Sequence, residues 1–383
     1  MNYHGDNFSV LHVVVRHKMI KRKLHILNFS HDEALASTSK GGGESKAARM
    51  LSADLGSLPA YWAGKDDLIL VPDDAGCLGK KLPRGAQGRV VAESELKEAL
   101  QKWPIDSIEP WGWDSLLVRR LKKLGVSPEL LPTDEQLADI RLLSSRQTAV
   151  RLLPLLREEV DCSIGRSWFC ESADEAWQIA ERLGMAVIKK PWSCSGRGLK
   201  LVQDTTPKTS QKYISSFVAK QGAVEVEPLY DRILDMAMEF EAKEGGEVAF
   251  AGLSVFASKG FGQYAGNWVA SDSVLLDKIP KELHRALCQS RESLKKHLGE
   301  LIDGKYQGPL GVDMMVVEEG DSLKLHPCVE VNLRRTMGHV AMSLRKFVKE
   351  RKMGLFLLDY YCPDREDERR LTPYARNIEA IMI

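Results

Sequence analysis

From Gly311 to Arg335, apolar and polar residues alternate on either side of a short acidic break, a pattern that a β-hairpin with one buried face satisfies. Val312, Met314 and Val316 share one face of the first arm. In the second arm Val329, Val331 and Leu333 oppose Cys328, Glu330 and Asn332. A turn at Asp321-Ser322 sets Asp313 opposite Glu330, with Asn332 one alternation further along. Two carboxylates and an amide oxygen on one sheet face repel and lose hydration unless a cation joins them. Hard oxygen donors of this kind suit Mg²⁺ that keeps some waters and binds phosphate. The same alternation puts His326 and Cys328 on that face, which raises a zinc alternative. The mixture of soft and hard donors, and Pro327 at the start of the strand, count against it. An exposed strand with ordinary polar residues is the plainest alternative.

A second motif runs from Val187 through Ile-Lys-Lys-Pro-Trp-Ser-Cys-Ser-Gly-Arg to Gly198-Leu199, a β-rich run that ends in two lysines and turns through small residues. Such a loop presents unobstructed backbone N–H groups to phosphate oxygens, and a lysine adds point charge. It is neither a Walker A loop, since no Gly-Lys-Ser/Thr opens a helix, nor a dinucleotide fingerprint, since the third glycine is missing. Taken alone, it is equally a glycine-containing hairpin.

The 383 residues suit two or three lobes, and 44% apolar residues supply material for their cores. Short apolar strands at 24–29 and 67–71, with helices at 45–53, 93–103 and 114–124, predict an N-terminal α/β domain with parallel strands over 19–134. Residues 1–18 read either as a disordered extension or as an over-called start. A small α+β lobe over 135–222 follows, with helices at 145–157 and 173–183. A large lobe over 223–383 carries strands near 223–227, 236–242, 248–256, 311–317 and 323–332 and a helix at 280–300. A net charge of +1 gives no general attraction to nucleic acid or to an anionic membrane. No run reaches the roughly 20 apolar residues of a membrane span, and no export signal is expected. Seven scattered cysteines without a CxxC pair predict a reducing cytoplasm rather than a disulfide framework.

The two motifs, in this order and at this separation, resemble the ATP-grasp superfamily over about residues 135–345. The resemblance implies an N-terminal α/β, pre-ATP-grasp-like domain followed by a two-lobed ATP-grasp fold, with ATP as cofactor. It implies that Lys190, Ser193, Ser195, Gly196 and Gly198 contact the nucleotide phosphates. Asp313, Glu330 and Asn332 would hold two magnesium ions, with manganese as a substitute, and Arg334 completes the Glu-x-Asn-x-Arg motif. Val224-Glu-Val-Glu-Pro-Leu-Tyr resembles the inter-lobe hinge, placing Glu227, Pro228 and Tyr230 at adenine and Asp235 at ribose. Arg146 stands where relatives carry a second nucleotide lysine. The stretches Leu-Asn-Phe-Ser-His-Asp-Glu-Ala-Leu-Ala at 27–36 and Pro-Trp-Gly-Trp-Asp at 110–114 resemble a bacterial branch of the superfamily.

The activity so implied is ATP-dependent ligation. A small-molecule or peptide carboxylate becomes an acyl phosphate and is captured by an amine or thiol, with Arg334 and Arg335 holding the carboxylate or the transferring phosphoryl group. A small-molecule kinase and a non-catalytic nucleotide-binding protein are the alternatives on the same fold. His31, Asp32 and Glu33 follow the first strand, where ligands of open α/β sheets gather, and are candidates for substrate contact. Trp111, Trp113 and Trp192 read as packing residues, Cys194 as a small loop residue, and 259–267 as a mobile loop or a long hairpin turn. The tail over 355–383 has no place in the resemblance.

Overall fold

The computed structural model describes residues 21–37, 44–193, 198–203, 207–259, 263–361 and 370–373. The proposed extension over 1–18, Cys194, Ser195, Gly196 and the end of the tail lie outside them. Among the described residues the strands form three sheets.

The first comprises β1 (Lys23–Ile26), β2 (Leu68–Val71), β3 (Arg89–Ala92) and β4 (Ser107–Pro110) in the order β3-β2-β1-β4, every neighbouring pair parallel. Helices cover such sheets on both faces, which is why β2, Leu-Ile-Leu-Val, is apolar and buried at every position. The helices are α1 (His31–Ala36), α2 (Lys46–Leu55), α3 (Leu96–Lys102) and α4 (Ser115–Lys123), the last capped by Asp114, whose carboxylate accepts the Leu117 N–H at 2.8 Å. The expected parallel α/β unit is present, with β3 and β4 as additional four-residue strands.

Helix α5 (Asp134–Leu143) starts at a capping box between Thr133 and Gln136 and is followed by α6 (Gln147–Glu159). Ile140, Leu143, Leu152 and Leu156 of these helices bury against the largest sheet. The chain from 135 to about 160 therefore packs with the large lobe, although sequence proximity grouped it with the small one. The small lobe's own core lies in β5 (Trp168–Cys170), α7 (Ala173–Leu183), β6 (Met185–Lys189), β7 (Leu199–Gln203), α8 (Pro207–Gln221) and β8 (Val224–Pro228). Its antiparallel sheet runs β5-β8-β6-β7. Ala186, Ile188, Val224 and Val226 pack with the α7 and α8 residues Ile179 and Ile214. By alternation Val187, Lys189, Glu225 and Glu227 take the opposite face.

The largest sheet contains β9 (Asp231–Ala242), β10 (Val248–Lys259), β11 (Gln263–Val269), β12 (Gly308–Glu319), β13 (Ser322–Asn332), β14 (Gly354–Tyr361) and β15 (Arg370–Pro373), in the antiparallel order β13-β12-β9-β10-β11-β14-β15. Part of the tail, 354–361 and 370–373, thus extends this sheet. The connections carry α9 (Asp272–Leu276), α10 (His284–Ile302) and α11 (Met337–Leu344). Met236, Met238, Phe240, Val312, Met314 and Val316 bury against residues of α6 and α10. The opposite face carries Asp235, Glu239 and Asp313. Helix α11 joins this sheet to the N-terminal domain, because Val340, Ala341 and Leu344 share an apolar cluster with Leu27, Leu55 and Trp111. No helix among the described residues is long and apolar enough to cross a membrane.

Candidate active site

A cleft of about 560 Å³ opens between the three sheets. Its floor is the β12–β13 hairpin, where Asp313 pairs with Glu330 and Gly311 with Asn332. The hairpin reaches this register by a different route from the one expected. Glu319 pairs with Ser322, so the turn is Gly320-Asp321, one residue earlier, and Gly320 adopts the positive φ of 59° that such a turn requires. The pairing then shifts between Asp313 and Met315, where Pro327, Cys328 and Val329 bulge out of the ladder. Proline cannot donate to a ladder and is accommodated at such a bulge. The bulge also breaks the simple alternation. Cys328 turns into the apolar core while Val329 lines the cleft, and His326 packs edge-on to Tyr230 with ring centroids 5.5 Å apart. His326 and Cys328 therefore do not share the acidic face, and the geometry behind the zinc alternative is absent.

Asp313, Glu330 and Asn332 line the cleft together. Burial first, then Glu330 and Glu239, push the Asp313 carboxyl up to about 8 against the pull of Arg334 and the Asn332 side chain. A divalent cation would reverse that balance, and this oxygen-only donor set fits magnesium. Among the described residues no three His, Cys, Asp or Glu side chains converge as a metal group; the floor offers two carboxylates and an amide.

Above this floor the small lobe presents Lys189 rather than Lys190. Lys189 is 3% exposed and lines the cleft, with Nζ 2.7 Å from Glu227 Oε1 and 3.6 Å from Glu225 Oε2. Lys190 points away, its Nζ over the Phe217 ring at 4.7 Å. The pleat decides this: β6 sends Ile188 into the lobe's core and its neighbour Lys189 the other way. Arg146 donates from Nη2 to Glu330 Oε2 at 2.9 Å and from Nε to the Lys190 carbonyl at 3.1 Å, with Nη1 3.7 Å from Glu225 Oε2. Although burial opposes its charge, Glu330, Glu225 and Glu227 hold the guanidinium protonated above its ordinary range. It thus ties the hairpin floor to the small lobe. Ser193 lines the cleft, and Gly198 leaves room for the Ser193 side chain and accepts the Lys190 N–H at 3.0 Å; Ser195 and Gly196 lie outside the described residues.

Of the hinge residues, Glu227 and Tyr230 line the cleft and Pro228 pairs with Ala186 at the end of β8. The Tyr230 hydroxyl accepts the Arg166 N–H at 2.9 Å. Asp235 also lines the cleft, bonded to the Ser258 hydroxyl and 3.3 Å from Arg232 Nη1. Arg334 lies beside the carboxylate pair, its Nε donating to Asp32 Oδ1 at 3.1 Å. Arg335 faces the other way: its Nη2 lies 3.5 Å from Glu109 Oε2 on β4, and its guanidinium stacks over Trp62 at 4.8 Å. That places Arg335 at the join between domains and outside the cleft, contrary to its expected contact with substrate. His31 is likewise structural, buried with Nδ1 3.3 Å from Asp114 Oδ2, whereas Asp32 and Glu33 line the cleft.

Solved structures of the same architecture align over nearly the whole chain. The N5-carboxyaminoimidazole synthetase from Staphylococcus aureus complexed with ADP superposes with a TM-score of 0.50 at 13% identity, covering 89% of this chain and 83% of its own. A biotin carboxylase–ATP complex from Campylobacter jejuni gives 0.52 at 11% identity, covering 95% and 86%. The biotin carboxylase domain of Hydrogenobacter thermophilus 2-oxoglutarate carboxylase, with MgADP and bicarbonate, gives 0.52 at 12% identity, covering 94% and 83%.

The chain has the ATP-grasp fold.

No family model and no curated protein sequence matches it. Within the ATP-grasp cleft the structure adds residues that the sequence reading passed over. Glu239 of β9 is 1% exposed and pairs with Gly311, next to the carboxylate pair. Ser254, Tyr264 and Asn267 line the same end, joined by hydrogen bonds from Tyr264 Oη to Asn267 Oδ1 and from Asn267 Nδ2 to Ser254 Oγ, each 2.7 Å. Trp111, expected only to pack, both packs and lines the cleft. The strict alternation in Met236-Ala-Met-Glu-Phe-Glu was the available signal for Glu239, since it puts that residue on the Asp235 face.

Proposed function

We propose that this chain is an ATP-dependent ligase that activates a substrate carboxylate as an acyl phosphate for capture by an amine or thiol, releasing ADP and phosphate. The observation that carries the reading is the single cleft in which Asp313, Glu330 and Asn332 face Lys189 and Arg146. Oxygen donors below and cations above are what a metal–triphosphate requires. The nucleotide complexes solved for the Staphylococcus, Campylobacter and Hydrogenobacter structures support a nucleotide here.

Bound magnesium supplies charge neutralisation as the γ-phosphoryl group moves, and Asp313, Glu330 and Asn332 are the residues that would hold it. Lys189 and Arg146 steady the phosphates, while Glu227 and Tyr230 border the nucleotide's base end and Asp235 its ribose. Arg334, oriented by Asp32, aligns the substrate carboxylate. A carboxylate oxygen attacks the γ-phosphorus, the bond to the β–γ bridging oxygen breaks, and ADP departs. The amine or thiol then attacks the acyl carbon and expels inorganic phosphate, losing a proton. Positioning and electrostatic stabilisation supply the catalysis. The free cysteines among the described residues (Cys77, Cys162, Cys170, Cys288 and Cys328) support a reducing, cytoplasmic setting.

Hydroxylamine separates this chemistry from phosphoryl transfer to an alcohol. Incubation with Mg·ATP, hydroxylamine and a panel of amino acids, dicarboxylates and short peptides should yield a hydroxamate in step with ADP. ADP formed with a phosphorylated alcohol and no hydroxamate points to a kinase and overturns the ligase assignment.

A further inference from the structure

Glu239 has no part in the nucleotide or metal contacts described above, yet the fold builds a niche around it. A Cβ on Gly338 would collide with its Oε1, and one on Gly311 would stand 2.6 Å from its Oε2, so both glycines leave room for this carboxylate. Although the residue is 1% exposed, Oε2 receives no hydrogen bond. Its ion-pair contact is with His339, whose Nδ1 lies 3.0 Å from Oε2. That nitrogen also accepts the Thr336 N–H at 3.2 Å and stands 3.1 Å from the Thr336 hydroxyl, and Nε2 faces the Phe240 carbonyl at 3.4 Å, so the ring is shared among several partners. A buried carboxylate oxygen without a donor is costly, and a ligand that brings a donor relieves it.

The surroundings define the ligand further. Ser254 accepts from Asn267 and keeps its own hydroxyl proton to donate. Met337, one residue from Gly338, packs with an apolar cluster that includes Phe29, Leu51 and Trp111, and the Phe29 and Trp111 rings lie 5.3 Å apart. Asp32, Glu33, Glu239 and Arg334 are among the charged residues that line the cleft, with Arg334 donating to Asp32. Because Gly311 pairs with both Glu239 and Asn332, the Glu239 niche stands one strand from Asp313 and two strand spacings, about 10 Å, from Asn332, within the span of one small substrate and its metal.

We propose that Glu239 recognises a protonated amine on the substrate acid, while Phe29, Trp111, Leu51 and Met337 receive an apolar side group, so the substrate class is an amino acid with an aromatic or large aliphatic side chain. The inference rests on the ligase reading for the role of the carboxylate, and on Glu239 alone for the amine.

The test compares L-phenylalanine with 3-phenylpropanoate, which lacks only the amine, by calorimetry in the presence of Mg·ADP and by ADP release from Mg·ATP. The expected result is at least tenfold tighter binding of phenylalanine, and loss of that preference in Glu239→Gln through weaker phenylalanine binding, with Mg·ADP titration reporting that the variant is folded. Equal affinity of the two acids in the parent protein, no binding of phenylalanine, or a preference that survives Glu239→Gln overturns the proposal. The parent comparison decides alone if the variant does not fold. ADP release driven by acids without an amine preference keeps the ligase and removes this inference. An amine preference in binding with no ADP release does the reverse.

Discussion

Replacing Lys189 by methionine keeps most of the side chain's length and removes its charge. Two buried carboxylates, Glu227 at 2.7 Å and Glu225 at 3.6 Å, then lose a cation that touches both. Breaking a buried pair from one side costs about 3–5 kcal/mol. Here Glu227 moderates the loss: burial has already raised its carboxyl to about 6, with Lys189 pulling the other way, so without the lysine it takes up a proton near neutral pH. At about 1.4 kcal/mol per pKa unit, that response brings the destabilisation down to about 2–3 kcal/mol. Nucleotide binding loses one charged phosphate partner, about 1.5–3 kcal/mol or roughly 10- to 150-fold in Kd. Lys190→Met is the matched control. It removes a cation–π contact with Phe217 worth about 0.5–1 kcal/mol and leaves the ATP Kd within about threefold. Urea unfolding and ATP titration of both variants provide the measurements. If Lys190→Met weakens ATP binding and Lys189→Met does not, the assignment of the cleft lysine is refuted.

His326 supplies the pH dependence. Burial holds its imidazole down to about 3, so it stays neutral in the folded protein while the unfolded chain takes up a proton below about 6.5. Stability is complete above that pH and falls as the pH drops from about 6.5 toward 3, by up to about 1.4 kcal/mol per pH unit from this group. His326→Leu should lose less stability than the parent between pH 7 and pH 5, and an equal loss in urea unfolding contradicts the burial argument. Arg335→Met should lower the urea midpoint by the equivalent of about 1 kcal/mol, since Glu109 is partly exposed and keeps Lys23 while the cation–π contact with Trp62 is lost, and should leave the KM for ATP within about threefold. A large change in that KM at unchanged stability would return Arg335 to the active site.

Much of this architecture was legible in one sequence because amphipathic alternation and helix caps are local signals. Thr133 and Ser172 cap their helices through local side-chain bonds, and α7 spans the predicted residues. The acidic pair was legible for a partly mistaken reason. The turn falls one residue earlier than expected, and the Pro327–Val329 bulge restores the register at Asp313 and Glu330. Pro327 was the visible cue, but a bulge's size depends on the neighbouring strand's ladder and is not a local property. Lys189 and Lys190 could not be separated because β6 is apolar on both faces before them, and only the packing of Ile188 fixes the parity. Arg335 and His31 adjoin cleft residues in sequence, but Arg335 turns toward the domain join and His31 into the N-terminal domain, directions set by Glu109 and Asp114 on other elements. Helix α8 went unseen although Tyr213, Ile214, Phe217 and Val218 recur at helical i, i+3 and i+4 spacing, because they are sparse in a run of lysine, serine and glutamine.

The most direct test of the central claim is ATP turnover by Glu330→Gln, measured as ADP release in the presence of Mg²⁺ and an acid that stimulates the parent protein. The substitution keeps the shape of a side chain that pairs with Asp313 across the hairpin and accepts from Arg146, and removes only its charge. The account predicts a fall in kcat of at least about a hundredfold, as expected on losing one electrostatic stabiliser of the reacting group, with the protein still folded. Turnover at the parent rate would show that the paired carboxylates do not hold the catalytic metal, and the proposed active site would be wrong.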